Sequence, residues 1–237
     1  MLTLSPRFSP THFHEDPEFV LGSPLNALHV DPPFTAYHLI DLDRDKVEQL
    51  RELIGDRENV FIYESDCNEI LLGEVFPQLQ WRNFRRGLVL LDPYGLDLSW
   101  DVIRTAGQMR TVDLFLNFPV MDMNRNVLWA KPDGVDPEDV RRMNRFWGDE
   151  SWRTAAYGGA QLTIFGEADP IKRRIDDVVD AFRERLREVA GFGYVPDPLP
   201  MRNSTRAVVY YLFFASQKQA AGNIITDIFA QYRNRGA

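Results

Sequence analysis

Three aspartates stand where apolar runs end. Asp41 follows Tyr37-His38-Leu39-Ile40, Asp66 lies just beyond Val60-Phe61-Ile62-Tyr63, and Asp92 directly follows Leu88-Val89-Leu90-Leu91. If those runs are parallel strands, all three carboxylates meet at the edge of a sheet where ligands of open α/β folds bind. An acid at one strand end can accept hydrogen bonds from ribose hydroxyls. An acid at the next can accept from an adenine amino group. A third, followed by Pro93 and Tyr94, can face a reacting group. Each aspartate alone has a simpler explanation, because Asp begins turns; three in succession make a site the competing reading.

Other residue groups carry weaker chemistry. Asp31-Pro32-Pro33-Phe34 has the acid-Pro-Pro-aromatic form that holds an amine and stacks its base, but no firm strand precedes it. Asp41, Asp43, Asp45 and Glu52 fall at positions 1, 3, 5 and 12 of a calcium loop, yet Lys46 occupies the position that needs glycine. His12, His14, Glu15 and Asp16 read as solvated loop rather than a metal site. Cys67 has no cationic neighbour in sequence to activate its thiol and reads as a small buried residue. Trp81-Arg82-Asn83-Phe84-Arg85-Arg86 and Arg141-Arg142-Met143-Asn144-Arg145-Phe146-Trp147 interleave rings with arginines, as surfaces that stack bases and hold phosphates do. The simpler expectation places their aromatics in the core. Lys172, Asp176, Asp180, Arg183 and Arg187 read as an exposed helix face.

These residues need a scaffold. Apolar spacing predicts strands at 37–40, 60–63, 88–91 and 112–118, with helices at 46–54, 69–76 and 99–106 between them. The run at 88–91 reads as buried on both faces, and Asp113 as marking a strand edge. The alternation predicts a doubly wound α/β sheet. Further helices are expected at 137–147 and 170–190. A strand pair near 194–214 and a closing helix at 220–233 end the chain, while residues 1–30, rich in proline, read as an irregular segment. The 237 residues suit one α/β domain, and one cysteine excludes an internal disulfide framework and fits a cytoplasmic protein. No apolar run reaches the ~18 residues of a membrane helix. A net charge of −8 argues against nucleic-acid binding over the whole surface but leaves a local basic groove open. Only four of the 27 basic residues are lysine; that bias suits bidentate phosphate contacts, and equally a GC-rich genome.

Several segments in order resemble one family. They are Gly22-Ser23-Pro24-Leu25-Asn26-Ala27-Leu28, Leu39-Ile40-Asp41-Leu42-Asp43, Asp66-Cys67-Asn68-Glu69, Leu90-Leu91-Asp92-Pro93-Tyr94-Gly95-Leu96, Asp113-Leu114-Phe115-Leu116-Asn117-Phe118-Pro119, Asn124-Arg125-Asn126 and Phe146-Trp147-Gly148. Together they are similar to the three-Cys-motif partner proteins of bacteria. The resemblance implies a Rossmann-like, methyltransferase-type sheet. It also implies S-adenosylmethionine as cofactor and a three-cysteine-motif partner thought to carry an iron–sulfur cluster. Carried over by position, Asp41 is the ribose acid and Asp66 lies near the adenine. Asp43, Cys67, Gly22 and Ser23 complete the cofactor side, and Asp92, Pro93 and Tyr94 occupy the catalytic strand end.

One feature of the family has no counterpart. Members begin with a strand and an Asp-x-Phe-Ala-Gly-x-Gly loop, whereas this chain has no glycine before Gly22. The expectation is therefore that the first strand and glycine loop are missing, or begin upstream of Met1. Without that loop the close backbone approach that glycine permits is lost. Three functions follow as expectations: a methyltransferase-like enzyme, a non-catalytic partner of the three-cysteine protein, or a nucleic-acid-processing module of a defence or mobile-element system.

Overall fold

The computed structural model describes residues 2–3, 22–162 and 168–235. Their strands form a seven-stranded mixed sheet and a separate two-stranded hairpin. In chain order the elements begin with β1 (Leu2–Thr3), α1 (Ser23–Leu28), β2 (Tyr37–Asp41), α2 (Arg44–Ile54) and β3 (Val60–Glu64). Next come α3 (Cys67–Ile70), a π-helical turn at Leu71–Val75, α4 (Phe76–Gln78), a 3-10 turn at Trp81–Asn83, and β4 (Gly87–Leu91). Then follow α5 (Trp100–Met109), β5 (Val112–Phe118), α6 (Val120–Asn126), α7 (Pro137–Trp147) and α8 (Trp152–Ala156). The remainder is β6 (Tyr157–Leu162), β7 (Ala168–Lys172), α9 (Ile175–Glu188), β8 (Leu199–Arg202), β9 (Val208–Ala215) and α10 (Gln219–Arg235).

The large sheet runs β3-β2-β1-β4-β5-β9-β8. The first five strands are parallel, β9 is antiparallel to β5, and β8 is antiparallel to β9. The chain therefore grows outward in both directions from β1, and the order reverses beside it. A crevice opens at such a reversal because the connections on its two sides leave toward opposite faces.

Alternation along β5 shows how the two faces are built. Val112, Leu114, Leu116 and Phe118 are buried on one face, joining α5, α7 and α9 in the main core with Phe182 at its centre. Phe115 points the other way and meets Phe214 at 4.8 Å. There α10 buries Phe229 against Leu199, and α1 and α2 cover Leu39. Both faces thus carry helices, as a parallel sheet with two apolar faces requires.

Several elements differ from expectation. The central strand expected to be missing is present as β1, whose Leu2 pairs with Leu39 and Leu90. Two residues are too few to show a period in the sequence. The irregular segment expected through residue 30 contains α1; Pro24 is tolerated in its first turn, where no N–H is needed. The missing glycine loop falls on residues outside those described. Asp113 does not end a strand: it pairs with Leu88 inside the ladder, accepts from Ser216 Oγ at 2.6 Å and faces Arg86 at 3.7 Å. In β4 only Val89 and Leu91 are fully buried; Leu88 and Leu90 are half-buried. Helix α9 starts at Ile175, later than expected, because Ala168–Lys172 is strand β7. Its hairpin partner β6 contains Gly158 and Gly159, and β7 contains Pro170, residues that weaken a strand pattern.

Candidate functional site

The carboxyl ends of β2, β3 and β4 bound a cleft of about 390 Å3, within the range of small-ligand sites (~300–1,000 Å3). Of the sequence-predicted residues, Asp41, Asp43, Asp66, Cys67, Asp92, Pro93 and Tyr94 all line it. Gly22 and Ser23 do not; they begin α1, which packs through Leu25, Ala27 and Leu28 on the α2 side of the sheet. The cofactor-side candidates Gly22 and Ser23 thus stand at a helix start, apart from the other candidates.

Asp41 is the last residue of β2 and is buried. Its Oδ1 accepts from the Asp43 N–H at 2.8 Å, and its backbone oxygen accepts from Ser65 N–H at 3.1 Å. Among the described residues its Oδ2 is buried with no hydrogen-bond partner. Burial pushes the Asp41 carboxyl above the usual carboxylate range, although the Asp43 N–H and the Lys46 charge oppose the shift. Leaving a buried carboxylate oxygen unsatisfied costs free energy, so this atom is a place for a donor from beyond the described residues.

Asp43 is occupied differently. It is the N-cap of α2, accepting from Asp45 N–H at 3.1 Å and Lys46 N–H at 3.4 Å, and it pairs with Lys46 Nζ at 3.2 Å. Those bonds, led by Lys46, hold its carboxyl below the usual range. Asp43 and Asp45 of the calcium-like spacing therefore build a helix start, and among the described residues no cluster of His, Cys, Asp and Glu is arranged to hold a metal.

Asp66 caps α3, accepting at Oδ1 from both the backbone and side-chain nitrogens of Asn68, each at 2.7 Å. Its Oδ2 lies 3.9 Å from Arg145 of α7. Cys67, next in the chain, is half-buried; burial, reinforced by the Asp66 charge, pushes its thiol up to about 12. At neutral pH it is a neutral wall residue and no nucleophile.

Asp92 accepts at Oδ1 from Asn117 Nδ2 at 2.7 Å, across the register that pairs Leu91 with Leu116. Tyr210 of β9 is close enough that, after burial, the Asp92 charge helps push its hydroxyl up to about 12. Tyr94 is 59% exposed at the cleft mouth. Pro93-Tyr94-Gly95 turns the chain outward, and Gly95 at φ +57 sits against Asp122 where any Cβ would overlap its carboxylate.

No family model, curated protein or solved structure matches this chain. The site therefore rests on its own geometry.

Sequence reasoning missed part of the wall. Lys46, Ser65, Asp97 and Arg145 also line the cleft, and Asn117 braces Asp92 from behind. Ser65 and Asp97 lie within a few residues of the strand-end acids, so proximity was their only signal. Arg145 belongs to one of the arginine–aromatic segments; there the rings of Phe146 and Trp147 are buried as expected and the guanidinium reaches the cleft. The other segment departs from expectation: Trp81 is 70% exposed and Phe84 96%, because both sit on a short 3-10 turn and its left-handed cap rather than on a helix packed against the sheet. The α9 charges also do more than face solvent, since Arg183 donates to Val195 O at 2.8 Å and Asp176 accepts from Tyr211 at 2.8 Å. Asp31-Pro32-Pro33-Phe34 precedes β2, at the amino end of the sheet away from the cleft, where the Phe34 N–H donates to Tyr37 Oη at 3.0 Å. His12, His14, Glu15 and Asp16 lie outside the described residues.

Proposed function

We propose that the cleft binds S-adenosylmethionine and that the chain is a methyltransferase-like partner of a three-cysteine-motif, iron–sulfur protein. The observation that carries the reading is Asp41 Oδ2, a buried acceptor without a partner among the described residues, in the wall of a cleft at the strand-order reversal. A ribose hydroxyl supplies the donor this atom lacks. The sheet order supports the same reading: five parallel strands followed by an antiparallel pair at one edge is the arrangement of a methyltransferase-type sheet.

The wall chemistry fits the cofactor. Asp41, Asp43, Asp66, Asp92 and Asp97 outnumber Lys46 and Arg145 among its charges, which favours a ligand bearing hydroxyls, an amino group and a positive centre. Bound, the cofactor would supply a methyl group on a cationic sulfur. In the chain, Asp41 accepts from the ribose, and Asp66, held by Asn68 and facing Arg145, lies toward the base. Asp92, braced by Asn117, stands at the reacting end of the cleft, with Tyr94 at the mouth to stack on a planar substrate. Cys67 contributes shape rather than chemistry.

Isothermal titration with S-adenosylhomocysteine tests the reading. Saturable binding is expected, weakened at least tenfold in Asp41→Ala; no heat at millimolar ligand sinks it. The partner is tested separately by co-expression with a three-cysteine-motif protein and size-exclusion chromatography, where failure to co-elute removes that half of the proposal.

A further inference from the structure

The amino end of β4, opposite the cleft, carries the turn Gln80–Arg86. It is tightly built: Asn83 N–H donates to Gln80 O at 2.8 Å, Phe84 N–H to Trp81 O at 3.0 Å, and Asn83 Nδ2 to Gln78 O at 3.1 Å. Phe84 adopts a left-handed conformation at φ 53, which costs a non-glycine residue roughly 1–2 kcal/mol. That cost usually accompanies burial or a turn glycine. Here the result is a ring 96% exposed, next to Trp81 at 70%. These two large rings contribute nothing to the core.

Around them stand Arg82, Arg85 and Arg86, all exposed. Next to the turn in the sheet, Gly87 N–H donates to Thr111 O at 3.0 Å, and Thr111 directly follows exposed Arg110. Arg86 shares Asp113 at 3.7 Å with Ser216, and Arg85 donates to the neutral Gln78 at 3.5 Å, its charge also reaching His38. Neither Arg82, Arg85 nor Arg110 has a carboxylate partner among the described residues. On a chain of net charge −8, these guanidiniums form a cationic spot interleaved with flat apolar surfaces.

We propose that this turn binds single-stranded nucleic acid, with bases stacked on Trp81 and Phe84 and phosphates held by Arg82, Arg85, Arg86 and Arg110. The charge selects a polyanion. The rings distinguish a single strand from an acidic peptide or a duplex: unpaired bases offer faces of matching shape, which carboxylate side chains lack and stacked pairs hide. Trp81 and Phe84 lie within one turn of chain, so they suit neighbouring bases without sequence preference. The site is independent of the cleft and of its proposed ligand.

The test is fluorescence anisotropy with labelled oligothymidylate and oligouridylate on the full chain. Wild type is expected to bind at low salt and lose affinity as salt rises. Trp81→Ala with Phe84→Ala weakens binding about tenfold or more at fixed salt. The triple change Arg82→Ala, Arg85→Ala and Arg86→Ala lowers the log–log salt slope by about 2, at ~0.7 per phosphate contact. All five side chains are exposed, so thermal melts of the variants should match wild type. Asp41→Asn should bind as wild type does. The proposal is overturned by absent binding at low salt or by binding the variants leave unchanged. It is equally overturned by equal or tighter binding of the matching duplex or of polyglutamate, and by loss of binding in Asp41→Asn, which would move the strand into the cleft.

Discussion

Asn68 accepts the Ser99 N–H on its side-chain oxygen at 2.7 Å, joining the loop after β3 to the N-cap of α5. With its amide nitrogen it donates to Asp66 Oδ1 at 2.7 Å and to Asp97 O at 3.1 Å. One buried amide, 5% exposed, therefore fixes two loops whose carboxylates line the cleft.

Replacing Asn68 by Ala leaves an N–H, a carbonyl and a carboxylate oxygen short of partners in a buried place. The expected loss is about 3 kcal/mol, since each unsatisfied buried group costs ~1–3 kcal/mol and the losses overlap. Urea denaturation should show a lower midpoint with an unchanged slope. A midpoint within error of wild type would show that water replaces the amide and that it braces nothing.

Asp41 should behave in the opposite sense. Burial raises its folded carboxyl above the ordinary 3.8, so the folded state binds the proton more tightly than the unfolded chain. In the window from 3.8 up to that raised value the folded state holds more protons, and stability falls as pH rises through it. Above the window the full penalty of an ionised, half-paired carboxylate remains. Asp41→Asn is therefore expected to melt higher than wild type at pH 7, with the gap closing as pH falls toward 4. It should also lose affinity for S-adenosylhomocysteine. A variant less stable than wild type at pH 7 would mean that the carboxylate is satisfied in solution.

Much of this site was legible because strand ends advertise themselves. Asp41 and Asp92 sit directly beyond apolar runs, and parallel topology carries both to one edge. Three kinds of residue were not legible. Arg145 reaches the cleft from α7, a helix whose approach depends on packing against Trp100 and Phe182 that no local pattern encodes. Asn117 looked like one more residue of an apolar strand, and its role follows from register with β4. Trp81 and Phe84 were expected in the core because large rings usually are; they sit instead on a short exposed turn closed by the left-handed Phe84. β1 escaped notice for another reason: its two residues are held by neighbours on both sides, so tertiary pairing rather than propensity makes it a strand.

Cys67 provides a chemical probe of the wall. With its thiol pushed up to about 12, the thiolate fraction at pH 8 is roughly a thousandfold below that of an ordinary cysteine near 8.5. Alkylation by iodoacetamide should be slower by about that factor in the folded protein and normal in urea. It is the sole cysteine, so mass spectrometry reads the rate without ambiguity. Reaction at the rate of a free thiol in native buffer would contradict the buried, Asp66-facing position.

Gly148 links the core to the placement of Arg145. It ends α7 at φ +98, and a Cβ there would overlap the Trp100 ring of α5. Arg185 stacks over the same ring at 4.6 Å and donates to Trp147 O at 2.6 Å, so the ring has no free side to move toward. Gly148→Ala should cost about 3 kcal/mol, combining a left-handed alanine with an overpacked contact. Because α7 must tilt to relieve the overlap, Arg145 should be drawn from its 3.9 Å approach to Asp66, and S-adenosylhomocysteine affinity should fall along with stability. Arg145→Gln separates the two effects: it is expected to lower affinity while leaving the unfolding free energy in urea within ~0.5 kcal/mol of wild type, as changes to exposed ion pairs do. If Gly148→Ala lost stability but bound ligand as wild type does, the end of α7 would hold the core together without setting the cleft.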